Sequence, residues 1–329
     1  MWAIRMLGLV ASIAIGLYLL WQIDVQQFLS MIRGLSVASL FGAFLIYMLL
    51  NLFRAVRFTV LLGGENISTQ TLYPIALYHN FLVRTLPFKT GELSYVMMVR
   101  HYLRKPILEG VGTLVSARLF DLLLVTTGCT VGLLTVAVPA SQHLLFTLFV
   151  PCLVVCALGL YFAAPILRKA LALEDNLLKN RLVAKSKILI WVNQKLLTLA
   201  ENLDRIRNPR LFIILIGLSA CIYASSAAFN LVLLRALGIT APFGTQLVVV
   251  SIAMFAEALP FSVAGLGLVE GGWTFGLVTF AVVSGASATS QAASIAFFLH
   301  ACQLFSVAIS GLIGYLMLHT SAFQRAIKH

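Results

Sequence analysis

The chain has 329 residues, of which 60% are hydrophobic and only 10% charged. A soluble globule carries charge at roughly a quarter of its positions, so this composition excludes an ordinary soluble domain and points to a polytopic membrane protein. The formal net charge of +12 does not imply nucleic acid, because the basic residues cluster in loops between apolar runs, as cytoplasmic loops of membrane proteins do.

In chain order, the first predicted span covers residues 4–22. It is long and lacks a small-x-small cleavage site, which reads as a retained helix rather than a signal peptide. The second covers 37–62 and carries Arg54 and Arg57 in its later part. An interrupted segment follows at 72–100, then spans at 112–138 and 143–166. A charged connector fills 167–210. A span at 211–233, a second interrupted segment at 245–283 and a last span at 290–318 complete the chain. Residues 1–329 read as one transmembrane domain with two halves, 37–138 and 211–318.

The interruptions share a phrase. The first is Leu86-Pro87-Phe88-Lys89-Thr90-Gly91-Glu92; the second runs from Leu259-Pro260-Phe261 through Gly265-Leu266-Gly267 to Glu270. Proline removes a helix donor and glycine loosens the backbone, so both segments are expected to be broken helices. Non-helical backbone survives at membrane depth only when buried in protein or lining a wet cavity, and paired interruptions mark transport sites.

Charge bias sets the orientation. Arg100, His101, Arg104 and Lys105 place the end of the first broken segment in the cytoplasm, as do the ten basic residues of the connector and the terminal Arg325 and Lys328. The turns near Ala140, Gly238–Gln246 and Ser284–Gln291 carry no Lys or Arg and face outside. The first hairpin then enters and leaves from the cytoplasm and the second from outside, the pattern of an inverted-topology repeat. The expected fold is all-α, a membrane helix bundle with two re-entrant hairpins and both termini cytoplasmic. The connector alternates apolar and basic residues. It is either an amphipathic helix on an anionic leaflet or a soluble helical cap.

Ionisable residues inside membrane segments are costly and are therefore candidate functional groups. Asn80, Arg84, Lys89 and Glu92 surround the first break. A helix starting near Thr90 would direct free N–H groups into the bilayer, and with Arg84 and Lys89 this makes an anion site; alternatively, Glu92 pairs a neighbouring cation and caps the helix. Arg118 and Asp121 share a helix face and form either a structural pair or a switchable gate. Arg54 and Arg57 either join the site or snorkel to the interface. Glu257 and Glu270 either balance the cations of the first hairpin, carry a proton or pair structurally. His300 and Gln303 share a face of the last span with Ser306 and Ser310; this polar stripe either lines a path, with His300 a candidate site residue, or makes interhelical hydrogen bonds, Ser310 and Gly314 suiting close helix packing.

The five cysteines lie in apolar runs without a CxxC pair, so neither a disulfide framework nor a metal site is expected. No HExxH, GxSxG or Walker lysine loop occurs, and Gly265-Leu266-Gly267 follows no strand of a nucleotide-binding fold. Neither an enzyme activity nor a cofactor is expected.

Asn51-x-x-Arg54-x-x-Arg57, Pro87-x-Lys89-x-Gly91-Glu92 with Arg100, Arg118-x-x-Asp121, and Pro260 with Gly265-x-Gly267-x-x-Glu270 together resemble the lysylphosphatidylglycerol synthase transmembrane-region family of flippase-like proteins, over about residues 37–318. The resemblance implies a lipid translocase of a bacterial or archaeal cytoplasmic membrane. Members that synthesise the lipid add a soluble aminoacyl-transferase domain; none is expected here, and the synthase activity is not implied. The expected partner is an anionic or zwitterionic phosphate-bearing membrane lipid, with Arg84, Lys89 and Arg118 on the phosphate. Glu92, Asp121, Glu257 and Glu270 would balance charge or sense a cationic headgroup. The alternatives are a secondary transporter of a soluble organic anion and a membrane-embedded transferase acting on a lipid-linked sugar.

Overall fold

A computed structural model describes residues 2–63, 67–86, 90–136, 143–178, 200, 204–260, 262–320 and 323. Lys89, most of the connector and the terminal Arg325 and Lys328 lie outside these residues.

The regular elements of the described chain are all helices. The helices are α1 (Trp2–Gln22), α2 (Val25–Arg33), α3 (Val37–Leu62), α4 (Thr69–Thr85), α5 (Glu92–Leu103), α6 (Ile107–Thr135), α7 (His143–Leu178), α8 (Pro209–Ala236), α9 (Phe243–Ala258), α10 (Leu268–Thr279) and α11 (Ala288–Leu318). Among the described residues, five stretches are long and apolar enough to cross a membrane: α3, α6, residues His143–Phe162 of α7, α8 and α11.

Local chemistry sets many of the boundaries. Ser68 caps α4 by accepting the N–H of Thr71 at 3.2 Å, and Asn208 caps α8 by accepting those of Arg210 and Leu211, with Pro209 at the first helical position. These side chains satisfy donors that the first helical turn leaves without partners. Pro106 and Pro242 stand immediately before α6 and α9. Helix α4 stops at Thr85 and α9 at Ala258, each two residues before a proline. Both interrupted segments are therefore pairs of short helices, as the Pro-Gly phrases predict.

Two boundaries differ from the sequence expectation. Helix α7 continues to Leu178 rather than stopping near 166, despite containing Pro151 and Pro165. The short α2 was not expected; it starts where the carboxylate of Asp24 accepts the N–H of Gln26 at 2.9 Å, a signal too local to register in a scan for spans.

Helix α3 packs along α8, α11 along α4, and α9 along α6. The short helices pack within their own pairs, α4 with α5 and α9 with α10, and α7 covers α6 while α1 lies on α10 and α11. Close approach of α11 to α4 rests on Gly311 and Gly314. A Cβ at Gly314 would come within 2.7 Å of Leu77 and 2.9 Å of the Pro74 carbonyl. The apolar interior forms two main bodies. One joins Tyr47, Phe229, Trp273, Leu277 and Leu299; the other joins Phe58, Leu72, Tyr95 and Val99, with the Phe58 and Tyr95 rings stacked 4.3 Å apart.

Candidate functional site

A cavity of about 480 Å3 lies where α3, α4, α6, α8, α9 and α11 converge, a volume within the range of small-ligand pockets, roughly 300–1,000 Å3. Three of these helices contribute polar groups at helical spacing. Tyr47 and Arg54 come from α3, Arg118 and Asp121 from α6, and Ser219, Tyr223 and Ser226 from α8. Arg84 closes α4, Glu92 opens α5, Glu257 lies in the last turn of α9 and Gln303 comes from α11. The remaining wall is apolar and includes Leu50, Leu119, Leu122, Ile222 and Met254.

Ion pairs order most of the charge. Arg57 is 1% exposed and donates to Asp121 Oδ1 at 2.6 Å and to Ser219 Oγ at 3.0 Å. It stands behind the cavity wall, and its burial excludes the snorkelling alternative for this residue. Arg118 meets Glu92 Oε1 at 2.6 Å and Asp121 Oδ2 at 3.4 Å. Asp121 thus links two guanidiniums, and the closer partner of Arg118 is on α5 rather than its own helix. Arg84 is buried and pairs with Glu257, whose other oxygen accepts from Gln303 at 3.2 Å. Arg54 lines the same cavity, half-buried.

The cavity reaches the outside of the bundle on one flank. Val115 lines it and is 42% exposed; the side chain of Arg118 is 46% exposed, and Ala258 and Pro260 at the end of α9 line it and are exposed. Val115 and Arg118 lie about 12–17 Å from the start of α6 at 1.5 Å per residue, along a helix of 29 residues.

Two polar groups support this site without lining it. Asn80 donates to the Tyr47 hydroxyl and, at 3.5 Å, to Asn51 Oδ1, while Asn51 donates to the Tyr47 carbonyl at 2.9 Å. His79 is buried, 3.0 Å from Ser94 Oγ and 3.7 Å from Glu92 Oε2.

The second hairpin is organised differently. Glu270 and His300 are 0% and 1% exposed. Glu270 accepts the N–H of Gly267 at 2.7 Å, and its other oxygen lies 2.7 Å from His300 Nδ1. His300 Nε2 donates to the Ala264 carbonyl at 3.0 Å. Both ring nitrogens face oxygen, so one proton must sit between the ring and Glu270. Gly267 has φ +83°, and a Cβ there would come within 1.7 Å of the Ser12 carbonyl. Ser12 in turn donates to the Leu266 carbonyl. Helix α1 is thereby pinned to the loop that Glu270 and His300 hold.

The sequence that builds this site belongs to a known family. Residues 5–311 match the family described as Lysylphosphatidylglycerol synthase TM region. The chain is a member of that family. Among curated proteins and among solved structures, none matches the chain. The family match spans almost the whole chain, including both interrupted segments.

Of the residues singled out in the sequence, Arg54, Arg84, Glu92, Arg118, Asp121 and Glu257 line the cavity. Arg57 and Asn80 stand behind it, and Glu270 and His300 form a separate buried pair. Lys89 lies outside the described residues. Sequence reasoning missed Tyr47, His79, Ser219, Tyr223 and Ser226. A signal existed for most of them: Tyr47, Asn51 and Arg54 recur at intervals of four and three, and so do Ser219, Tyr223 and Ser226, which puts each set on one helix face.

Proposed function

We propose that this family member is a lipid translocase, without enzyme activity of its own, that carries a phosphate-bearing headgroup through the cavity while the lipid tails stay in the bilayer. A charged headgroup does not cross hydrocarbon unless protein replaces its water. The observation that carries the reading is the flank at Val115, Arg118 and Pro260, where a charged cavity meets the outer surface of the bundle part-way along a membrane helix. A soluble organic anion needs no sideways exit, and a lipid does.

The route is an exchange between two oppositely inserted hairpins, α4–α5 and α9–α10. Helices α5 and α10 have 12 residues each, about 18 Å, against roughly 30 Å of hydrocarbon. The packing supports the repeat: exchanging α3, α4, α5 and α6 for α8, α9, α10 and α11 leaves α3–α8 unchanged and turns α4–α11 into α9–α6, both extensive contacts. Arg84 stands three residues before Pro87 and Glu257 three before Pro260, and these equivalent positions pair with each other. Breaking that pair would let the hairpins separate. The termini are cytoplasmic in this reading, on the basic-residue bias.

The test is reconstitution into liposomes carrying headgroup-labelled phosphatidylglycerol, with accessibility to an impermeant quencher as the readout. The parent should equilibrate label between leaflets faster than protein-free vesicles. Arg84→Ala and Glu92→Ala should each slow it about tenfold or more, the scale of a lost charge-assisted contact. Undiminished movement by both variants would sink the site, and no movement by the parent across a panel of phospholipids would sink the function.

A further inference from the structure

The Glu270–His300 pair fixes its own proton content. A carbonyl only accepts, so the hydrogen bond to Ala264 at 3.0 Å places one proton on His300 Nε2. A second proton lies between Nδ1 and Glu270 Oε1, 2.7 Å apart, while Glu270 Oε2 accepts the Gly267 N–H at 2.7 Å. With both protons the pair is neutral overall, which suits two groups 1% and 0% exposed. If one proton leaves to water, a carboxylate and a neutral ring remain, and one N–H faces two acceptors. When that N–H stays on Nδ1 beside Glu270, the bare Nε2 faces the Ala264 carbonyl and the contact becomes repulsive.

The loop at that contact is held against its own preference. Ala264 has φ +56°, with Gly265 at +88° and Gly267 at +83°. Left-handed backbone suits glycine and strains alanine, so the N–H of His300 holds Ala264 in a conformation the chain alone disfavours. The loop also borders the ion pair that joins the hairpins. Ala264 and Gly265 line a small pocket with Arg84 and Glu257, and Gln303, one turn from His300 on α11, donates to Glu257 at 3.2 Å. Arg84 and Glu257 also line the main cavity, which gives a proton leaving His300 a polar way out. Of the charged groups on helices around α11, Glu270 touches His300, and Arg84 and Glu257 stand across the small pocket, paired with each other. Arg57 and His79 face Asp121 and Glu92, Arg54 lines the main cavity, Arg235 lines a different pocket, and α1 meets the loop through the uncharged Ser12.

We infer that Glu270 and His300 form a proton-binding site, separate from the cavity, whose occupancy holds the second hairpin closed. With the proton bound, His300 clamps Ala264 and Glu270 caps α10. With the proton released, the clamp repels, the strained loop relaxes, and the α9–α10 hairpin is free to part from the first. The site stands on the geometry of the pair, and its part in lipid movement rests on the translocase reading.

Glu270→Gln isolates the proton. Its amide keeps an acceptor for Gly267 and supplies a fixed N–H to His300 Nδ1, so it reproduces the protonated pair with nothing to release. The purified full-length parent and variant are melted in detergent from about pH 5, above the ordinary carboxylate range, to about pH 9. The folded parent carries one proton more than the folded variant, so its relative stability is greatest at low pH and declines as the pH rises until that proton has left. The melting temperature of the parent should fall against that of the variant by about 2 °C per pH unit. Parallel melting across the whole range overturns the site. Groups common to both proteins, Lys89 among them, cancel in the comparison. In liposomes with labelled phosphatidylglycerol, movement by the parent should speed up severalfold between about pH 6 and 8, and movement by Glu270→Gln should be slow and flat. The same pH profile in both overturns hairpin release and leaves the proton a purely structural part. Ala264→Gly is a second variant that keeps the pair intact. Relieved of strain, its loop should stay in place after the proton leaves, so it should melt no lower than the parent and lose most of the pH response of movement; a full response overturns hairpin release as well. If the parent moves no lipid at any pH, the translocase reading falls and the melting comparison alone decides the proton site.

Discussion

The two interrupted segments are built on the same phrase, yet their carboxylates do opposite work. Glu92 and Glu257 face a cavity and hold arginines that themselves reach it. Glu270 faces a fully buried histidine and a backbone N–H, and it lines no part of the large cavity. One set of charges borders space where a ligand and water can enter. The other stands in for the hydrogen bonds that a broken helix lacks. A carboxylate in a membrane segment is thus not one kind of signal, and its surroundings decide whether its loss is felt in binding or in folding.

The sharpest way to break this contrast is Glu270→Ala. It would leave the Gly267 N–H and His300 Nδ1 facing an empty space in the protein interior, and removing one partner of a buried pair costs about 3–5 kcal/mol. The expected outcome is a large fall in thermal stability, read by melting of the purified protein in detergent. Replacing His300 together with Glu270 by apolar residues should recover part of the loss, because neither group is then left without its partner. A variant that melts like the parent would show that Glu270 is not structural.

Next in size is Gly267→Ala. The positive φ of Gly267 and the Ser12 carbonyl behind it each oppose a side chain, and a strained backbone position alone costs about 1–3 kcal/mol. The melt should fall by less than for Glu270→Ala, with the contact between α1 and the loop lost first. Hydrogen exchange in α1 should therefore rise more than in α3. Equal protection of the two helices would argue that the loop does not hold α1.

Much of this was legible in the sequence and some was not, for a definite reason. Proline and glycine act on their own backbone, so the breaks at Pro87 and Pro260 and the special geometry at Gly267 could be read locally. The cavity-facing sets on α3 and α8 follow from helical spacing. Pairing is different, because Arg57 meets a carboxylate 64 positions away and Arg84 one 173 positions away. Spacing suggested that Arg118 pairs with Asp121 on its own helix, and that contact exists at 3.4 Å. Its contact with Glu92 at 2.6 Å depends on how α5 meets α6. Which arginine lines the cavity and which stands behind its wall is a property of the packing as a whole, so Arg54 could not be told from Arg57 until the helices were assembled.

The smallest effect on stability, and the most informative, is expected from Glu257→Ala. Glu257 borders the cavity, where water can replace part of what Arg84 loses, so the cost should be about 1–2 kcal/mol. That is less than for the same change at Glu270, although both remove a carboxylate from a glycine-rich break. The binding consequence runs the other way. Removing Glu257 releases Arg84 and raises the charge of the cavity by one, so an anionic lipid should bind tighter while its transfer slows, because the pair that joins the two hairpins can no longer re-form. Titrating phosphatidylglycerol and timing its movement between leaflets on the same preparation separates the two effects. If stability fell as far as for Glu270→Ala while binding did not change, Glu257 would be a structural group like Glu270, and the distinction between the hairpins would fail.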